Sequence, residues 1–514
     1  MATKSVTTDL TDVTLMQSGT TPADIAVGQG ATDEPDFYIQ GSQAFSRKIS
    51  GTTAVGGFGV NLASTLATGD HIFVWVNNLA PGLTQTTANG GVQVAVGAST
   101  NAYKQYYVNG SEGLIGGWTC YPFDPTLTAD ATQGNPGTTT TFFGALLATN
   151  GTINRNNLGI DAIRYGTKIT ATGGGSPDPD LNCIDITDAN DLPANQWGIF
   201  RNNGGTCILQ GVVQIGADDT TTPTTFVDSD TVCTKANNNP TGVNQKTATN
   251  FSGFRFAGSQ TTFDFSGLTF VSVDSTDKGF FDCGSGSITN TVSSGAFTGC
   301  TFLNTGVFTG TSTVSVSSCT FKNCRSFVIN GSTVSNLVFE GCEPLDAGTN
   351  LNSVTTCSFT SNSGGQPAIT TSVPAGTYSL VSNTFSGYNA SNNQADSAIE
   401  FTATTGTINV NVSGGAIPSF KTAGATINFS LSSTLTLTGL QPNTEVRVYD
   451  AGTTTEVAGV ENSGTSEAFS INVSSVDIVI HALGFIYQRL EGVSTASDRS
   501  IPIQQQEDRQ FLNP

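Results

Sequence analysis

Gly267-Leu-Thr-Phe270, Gly299-Cys-Thr-Phe302, Ser318-Cys-Thr-Phe321, Asn336-Leu-Val-Phe339, Thr356-Cys-Ser-Phe359 and Ser382-Asn-Thr-Phe385 decide the fold of this chain. Each begins on a small or polar residue, centres apolar residues on a phenylalanine, and runs into Asn, Ser, Gly or Cys. Successive phenylalanines lie 32, 19, 18, 20 and 26 residues apart. A period near ~20 with short strands and polar turns is the mark of stacked coils in a parallel β-helix. Cys300, Cys319 and Cys357 each stand two residues before their phenylalanine. In an extended strand both side chains then point to one face, the coil interior. One coil cannot bury that face alone; neighbours at ~4.8 Å supply the hydrogen-bond partners and cover each ring. Turn signals every ~8–12 residues would also suit an antiparallel sandwich of short strands.

Working outward, the composition points to an all-β chain. Charged residues are 11% and aromatics 9% of 514 residues, which separates the Gly, Ser, Thr and Asn runs from those of a charge-extended disordered chain. Alternating segments such as His71-Ile-Phe-Val-Trp-Val76, Gly91-Val-Gln-Val-Ala-Val96 and Thr444-Glu-Val-Arg-Val-Tyr449 recur, and long amphipathic helical patterns are nearly absent. The formal charge of −20 opposes attraction to nucleic acid or anionic lipid. No stretch approaches ~18 uninterrupted apolar residues, so membrane insertion is not expected. Met1 to Gly19 lacks the basic start and apolar run of a secretory signal, so synthesis in a cytoplasm is expected.

Four segments are expected. Residues 1–172 read as a jelly-roll-like β-sandwich, with strands near 54–62, 71–76, 91–96 and 103–108. Residues 173–424 read as a right-handed parallel β-helix with Phe270, Phe302, Phe321, Phe339, Phe359 and Phe385 in its core; Gly173 to Asp180 serves as a connector, and a polar excursion runs from Asp218 to Asn250. Residues 425–494 read as a small immunoglobulin-like or prealbumin-like sandwich, with Pro442 and the left-handed-tolerant Asn443 at a turn. Residues 495–514 form a docking tail whose Ile501, Ile503, Phe511 and Leu512 are costly to leave in water, so that truncation after Ser494 should spare the fold and weaken assembly.

Chemistry-bearing residues are sparse. Ten cysteines carry no CxxC pairing or histidines at zinc spacing, so those in the repeat read as apolar fillers, with Cys324 and Cys342 the pair most apt to oxidise. A glycosidase needs two carboxylates ~5–9.5 Å apart. Glu340 with Glu343, and Asp282 with Asp346 in neighbouring coils, are the candidates; Glu340 follows Phe339 and so faces outward, with no aromatic ring around it. Asp178, Asp180, Asp185, Asp188 and Asp191 lack the Gly and terminal Glu of a calcium loop, and His71 and His481 have no nucleophile beside them. No catalytic residue, cofactor or metal is expected.

Gly90-Gly-Val-Gln-Val-Ala-Val96, Asn157-Leu-Gly-Ile-Asp-Ala-Ile-Arg-Tyr165 and the last 80 residues, which include Ser500-Ile-Pro-Ile-Gln-Gln505, together with the laddered repeat, resemble virion structural proteins of tailed bacteriophages. That resemblance implies a place on the virion surface, commonly as a trimer, in contact with other virion proteins such as the major capsid protein. The expected function is a noncatalytic head decoration or head fibre. The alternative is a tail spike or tail fibre that binds, and could cleave, host surface glycan.

Overall fold

The structure is a computed structural model that describes residues 3–14, 23–25, 31–34, 38–40, 44–47, 53–61, 66–67, 69–78, 92–108, 118–138, 140–150, 158–175, 177–191, 199–203, 206–209, 211–228, 232–234, 252–272, 279–284, 291–362 and 365–512. The chain divides into two compact units, Met1–Val314 with Lys322–Arg325, and Ser315–Phe321 with Ser326–Pro514. It is nearly all β, with long parallel ladders of the β-helix type.

The first unit opens with two antiparallel sheets. One orders Trp118–Phe123, His71–Asn78, Leu158–Gly166, Ala44–Arg47 and Ala31–Glu34; the other orders Ala131–Gln133, Ala102–Val108, Val92–Ser99, Phe142–Asn150, Thr53–Asn61 and Ala23–Ile25. Alternation within the strands sends Ile72, Val74, Val94, Tyr121, Phe143 and Ile160 into one hydrophobic cluster. The parallel ladders then begin at Lys168–Thr172, ahead of the sequence boundary at 173. Ser5–Thr8 pairs antiparallel with that same strand, supplying the partner that a first parallel strand would otherwise lack.

The chain then cycles through three ladders. In the first unit Ser252–Phe256, Thr261–Ser266 and Thr269–Val271 are followed by Gly279–Asp282, Ser294–Thr298 and Thr301–Leu303, each strand parallel to the one a coil earlier. The register sets phenylalanine over phenylalanine: Phe254 on Phe281, Phe265 on Phe297, Phe270 on Phe302. Gly295 falls opposite Phe263, where a Cβ would come within 2.1 Å of the ring, so any side chain on that rung would have to displace the ring. Phe270 and Phe302 are fully buried.

In the second unit Phe321, Phe339, Phe359 and Phe385 form a single column. Ring centroids are 5.0, 5.0 and 5.3 Å apart, with interplanar angles of 13°, 2° and 7°. The residue that opens each motif explains its small or polar character. Gly267, Gly299, Ser318, Asn336, Thr356 and Ser382 all have positive φ, between 53° and 77°, and make the corner from the second ladder into the third. The residue after the corner, Cys300, Cys319, Leu337, Cys357 or Asn383, is buried. Its thiol, where present, donates to a main-chain carbonyl: Cys300 to Phe265 O at 3.2 Å, Cys319 to Ser317 O at 3.2 Å, Cys357 to Thr355 O at 3.2 Å. Cys324 and Cys342 are free thiols that donate to Phe302 O and Phe321 O.

Strand Thr426–Thr438 serves two sheets. Its first half continues the second ladder beside Thr407–Ser413, and its second half pairs antiparallel with Ser466–Ile471. Four further antiparallel strands, Glu456–Val460, Glu445–Asp450, Ser475–His481 and Gln488–Ser494, complete the C-terminal part, which shares one core of Leu435, Val446, Phe469, Ile478 and Ile503. Asn443 adopts φ +63° at the turn after Pro442.

Several sequence expectations change here. The Gly173–Asp180 stretch is not a loose connector: a Cβ on Gly174 would lie 2.7 Å from Leu181 N and Thr225 O, so the glycines are packed against the coil. A short helix, Cys183–Asp191, follows; Asn182 and Asp185 cap it reciprocally, each backbone N–H donating to the other's side chain at 2.9 Å. Part of the excursion at 218–250 belongs to the ladders, as Thr224–Asp228 and Val232–Thr234, and residues 235–250 lie outside the described residues. The tail is also different. Arg499–Pro502 pairs with Leu435–Thr438, and Ile503 is 6% exposed in the core of its own chain. Ile503 is therefore covered without a partner, Ile501 packs beside it, and truncation after Ser494 removes part of a core rather than a free docking arm. The side chains of Phe511 and Leu512 lie outside the described set.

Candidate functional site: the open end of the phenylalanine column

The third ladder stops at Thr384–Ser386. One coil later the chain passes from Thr407–Ser413 directly to Phe420–Thr422, which belongs to the first ladder, and the intervening segment 414–419 forms no strand. Gly415 lets that segment press close to the column's end, since a Cβ there would meet Asn383 O at 2.7 Å. Beyond this contact the returning segment stands away from Phe385. It leaves a cleft of about 310 Å³ lined by Phe385, Tyr388, Ile417, Pro418, Asn389 and Ser419, with Thr384 at its edge.

The column is thus uncapped. Phe385 is half-buried, stacked on Phe359 on one side, with Tyr388 edge-on at 6.4 Å and 80°. Among the described residues no ring stacks on its other side. Loop 388–397 is fixed against the returning segment: Ser419 Oγ donates to Asn389 O at 2.5 Å, Asn393 N to Phe420 O at 2.7 Å, and Phe420 N to Asn392 Oδ1 at 2.9 Å. Burial pushes the Tyr388 phenol up to about 12, so its hydroxyl stays protonated at neutral pH.

Polar groups in the cleft differ in what they have to spare. The Asn383 amide is spent within the fold, accepting from Cys357 N at 2.9 Å and donating to Val354 O at 2.8 Å. The hydroxyls of Thr384 and Tyr388 and the amide nitrogen of Asn389 have no hydrogen-bond partner among the described residues, and they remain available to a ligand. No lining residue carries a charge. On the adjoining strands Glu400 and Lys421 neutralise each other at 2.6 Å. A second cavity, between Leu66, Val96, Tyr106 and Pro125, has about 110 Å³ and falls below the ~300–1,000 Å³ of ligand pockets.

None of the carboxylates singled out in the sequence lines the cleft. Asp282 has Arg255 and Thr309 as ladder partners and Asp346 has Val328 and Thr370, so neither is the ladder partner of the other. Glu340 pairs with Thr360 in register; it and Glu343 are half-buried and neither lines the cleft. Asp185 holds Lys4 at 2.8 Å besides capping its helix, and no group of three or more His, Cys, Asp or Glu among the described residues could hold a metal. His71 sits 3.9 Å from Asp124, with its pKa lowered by burial; His481 is exposed at the end of strand Ser475–His481, opposite Glu445. Sequence reading missed Tyr388, Ile417 and Pro418. The available signal was Tyr388 itself, three residues after Phe385, where Cys324 and Cys342 stand after Phe321 and Phe339.

The outward face of the second ladder bears on assembly. Ser317, Ser335, Thr355, Val381, Ser413 and Ser432 follow one another in register, so apart from Val381 this row is polar. Exposed apolar side chains occur instead at Leu483 (79%), Ile486 (47%) and Tyr487 (57%) in the loop before Gln488–Ser494.

No family model matches the chain, and no curated protein matches it. Solved structures do. One is the Agl-KA catalytic domain, with 11% identity over 83% of this chain and 94% of that one and a TM-score of 0.23. Another is the catalytic domain of a GH87 alpha-1,3-glucanase in complex with nigerose, with 12% identity over 79% of this chain and 83% of that one and a TM-score of 0.22. The expectation that this chain is not an enzyme is corrected against this finding, because the matched structures are themselves catalytic domains. Likeness at this level assigns no activity.

Proposed function

We propose that this chain is a glycan-binding protein of a tailed-bacteriophage virion surface, of the tail spike or tail fibre type. The observation that carries the reading is the cleft at the end of the phenylalanine column. A sugar ring has an apolar face of C–H groups and a rim of hydroxyls. An aromatic floor at Phe385, an aromatic wall at Tyr388 and neutral hydrogen-bonding groups at Thr384 and Asn389 match both features. That match supports the tail spike or tail fibre reading over a head decoration. In this reading the β-helix is right-handed, the terminal sheets form jelly-roll-like and immunoglobulin- or prealbumin-like sandwiches, and copies assemble as a homotrimer on other virion proteins. The role of assembly contact passes from Ile501 and Ile503 to Leu483, Ile486 and Tyr487, which are exposed.

The test is to incubate the purified full-length protein with capsular and lipopolysaccharide fractions of candidate hosts. Retardation in affinity electrophoresis reads binding, and reducing-end release reads cleavage. Retardation by at least one fraction, lost in Tyr388→Ala, is expected. Migration unchanged in every fraction would refute the proposal.

A further inference from the structure

We infer, resting on the glycan-binding reading, that the cleft takes one uncharged pyranose ring laid on Phe385 as the next member of the phenylalanine column, and that it excludes anionic sugars. The column advances by 5.0, 5.0 and 5.3 Å per ring, and its last three intervals are nearly parallel stacks. A ligand ring one such step beyond Phe385 enters the space that segment 414–419 leaves by not forming a further strand of the third ladder. At about 310 Å³ that space suits a small ligand rather than a polymer segment enclosed on all sides.

The chemistry of the walls narrows the ligand. Ile417, 49% exposed, and Pro418 line the cleft together with Phe385, so the ligand needs apolar surface. Thr384, Tyr388 and Asn389 line it as well, so the ligand also needs hydroxyls. An aromatic ligand satisfies the first condition and leaves the polar groups unpaired, at a cost. A pyranose satisfies both. Charge settles the class of pyranose: no lysine or arginine lines the cleft, Lys421 is committed to Glu400, and the chain's net charge of −20 repels carboxylated sugars. A buried carboxylate without a cationic partner is strongly disfavoured.

The experiment uses an array of neutral hexose oligosaccharides and hexuronate oligosaccharides of the same linkages, probed with the full-length protein and with Phe385→Leu and Ile417→Asp. The first variant keeps an apolar residue and removes the stacking face; the second changes a side chain exposed enough to leave the fold intact. Binding to neutral members, weakened at least tenfold in both variants, with hexuronates unbound, is the expected result. Neutral glycans held equally well by wild type and both variants would overturn the cleft assignment while leaving glycan binding itself standing. Hexuronates bound as tightly as neutral sugars would overturn the exclusion of charge. No binding to any glycan would overturn this inference together with the function on which it rests.

Discussion

Replacing Phe339 and Phe385 by alanine should have very different costs, although both belong to the same repeat. Phe339 is 4% exposed and lies between two parallel rings at 5.0 Å, with Phe327 at 6.2 Å. Removing it empties a closed site, which costs about 3–5 kcal/mol for a buried aromatic, and two stacked pairs worth ~0.5–1.5 kcal/mol each place the value near the upper end. Phe385 has one stacked neighbour and faces the cleft, so its removal leaves no enclosed cavity. Its cost should be about 1–2 kcal/mol, from one lost stack and partial burial. A chain of several folded parts does not unfold in one step, so a global midpoint is the wrong readout. Hydrogen exchange of the amides of Val338–Glu340 and Ser358–Thr360 under increasing denaturant reads the local opening free energy. The Phe339→Ala variant should lose at least about 2 kcal/mol more protection than Phe385→Ala. Equal losses would mean that the column is capped, and the account of the cleft would fall with it.

Three further outcomes are expected. Thr356 holds φ +55° with a β-branched side chain, a conformation that costs an L-residue about 1–2 kcal/mol; Thr356→Gly should stabilise the surrounding coil by a net ~0.5 kcal/mol after the entropy of the unfolded glycine, and a loss of stability in the same exchange assay would contradict the corner assignment. Burial pushes the Asp161 carboxyl up to about 6 against the N–H groups of Gln40, Ile39 and Ala162. A raised folded pKa contributes stability that is complete below the unfolded value near ~3.9 and is lost as pH rises through about 6; relative to Asp161→Asn, the wild type should therefore lose up to about 3 kcal/mol between pH 4 and 7.5, and melting curves showing the opposite slope would refute it. Truncation after Ser494 should lower the melting transition of the C-terminal sheets, since Ile503 contributes roughly 1.5–3 kcal/mol by burial and Ile501 somewhat less; an unchanged transition would show that Arg499–Pro502 is not part of that core.

Residues that act on their immediate neighbours were legible in the sequence. Strand alternation is a local property with a period of two, so Phe302, Phe339 and Phe359 could be assigned to an inward face from their spacing alone. The corner residues were visible as small or polar, because the left-handed region excludes most side chains. Asn443 was legible for the same reason. Where a ladder begins and ends is a different kind of question. Ser5–Thr8 closes the first ladder by pairing with residues more than 160 positions away, and Ile503 fills a core built by Leu435 and Val446. No periodicity encodes such pairings, because they depend on which surfaces remain unpaired once the coils have stacked. The cleft is of that kind. Every coil motif up to Ser382-Asn-Thr-Phe385 looks equivalent as sequence. Only the departure of segment 414–419 from the third ladder makes Phe385 the last ring and leaves its face open. The sequence by itself determined an all-β chain with a phenylalanine column, through local alternation and backbone sterics; the tertiary structure decided where the column ends, because an end is the absence of a next strand.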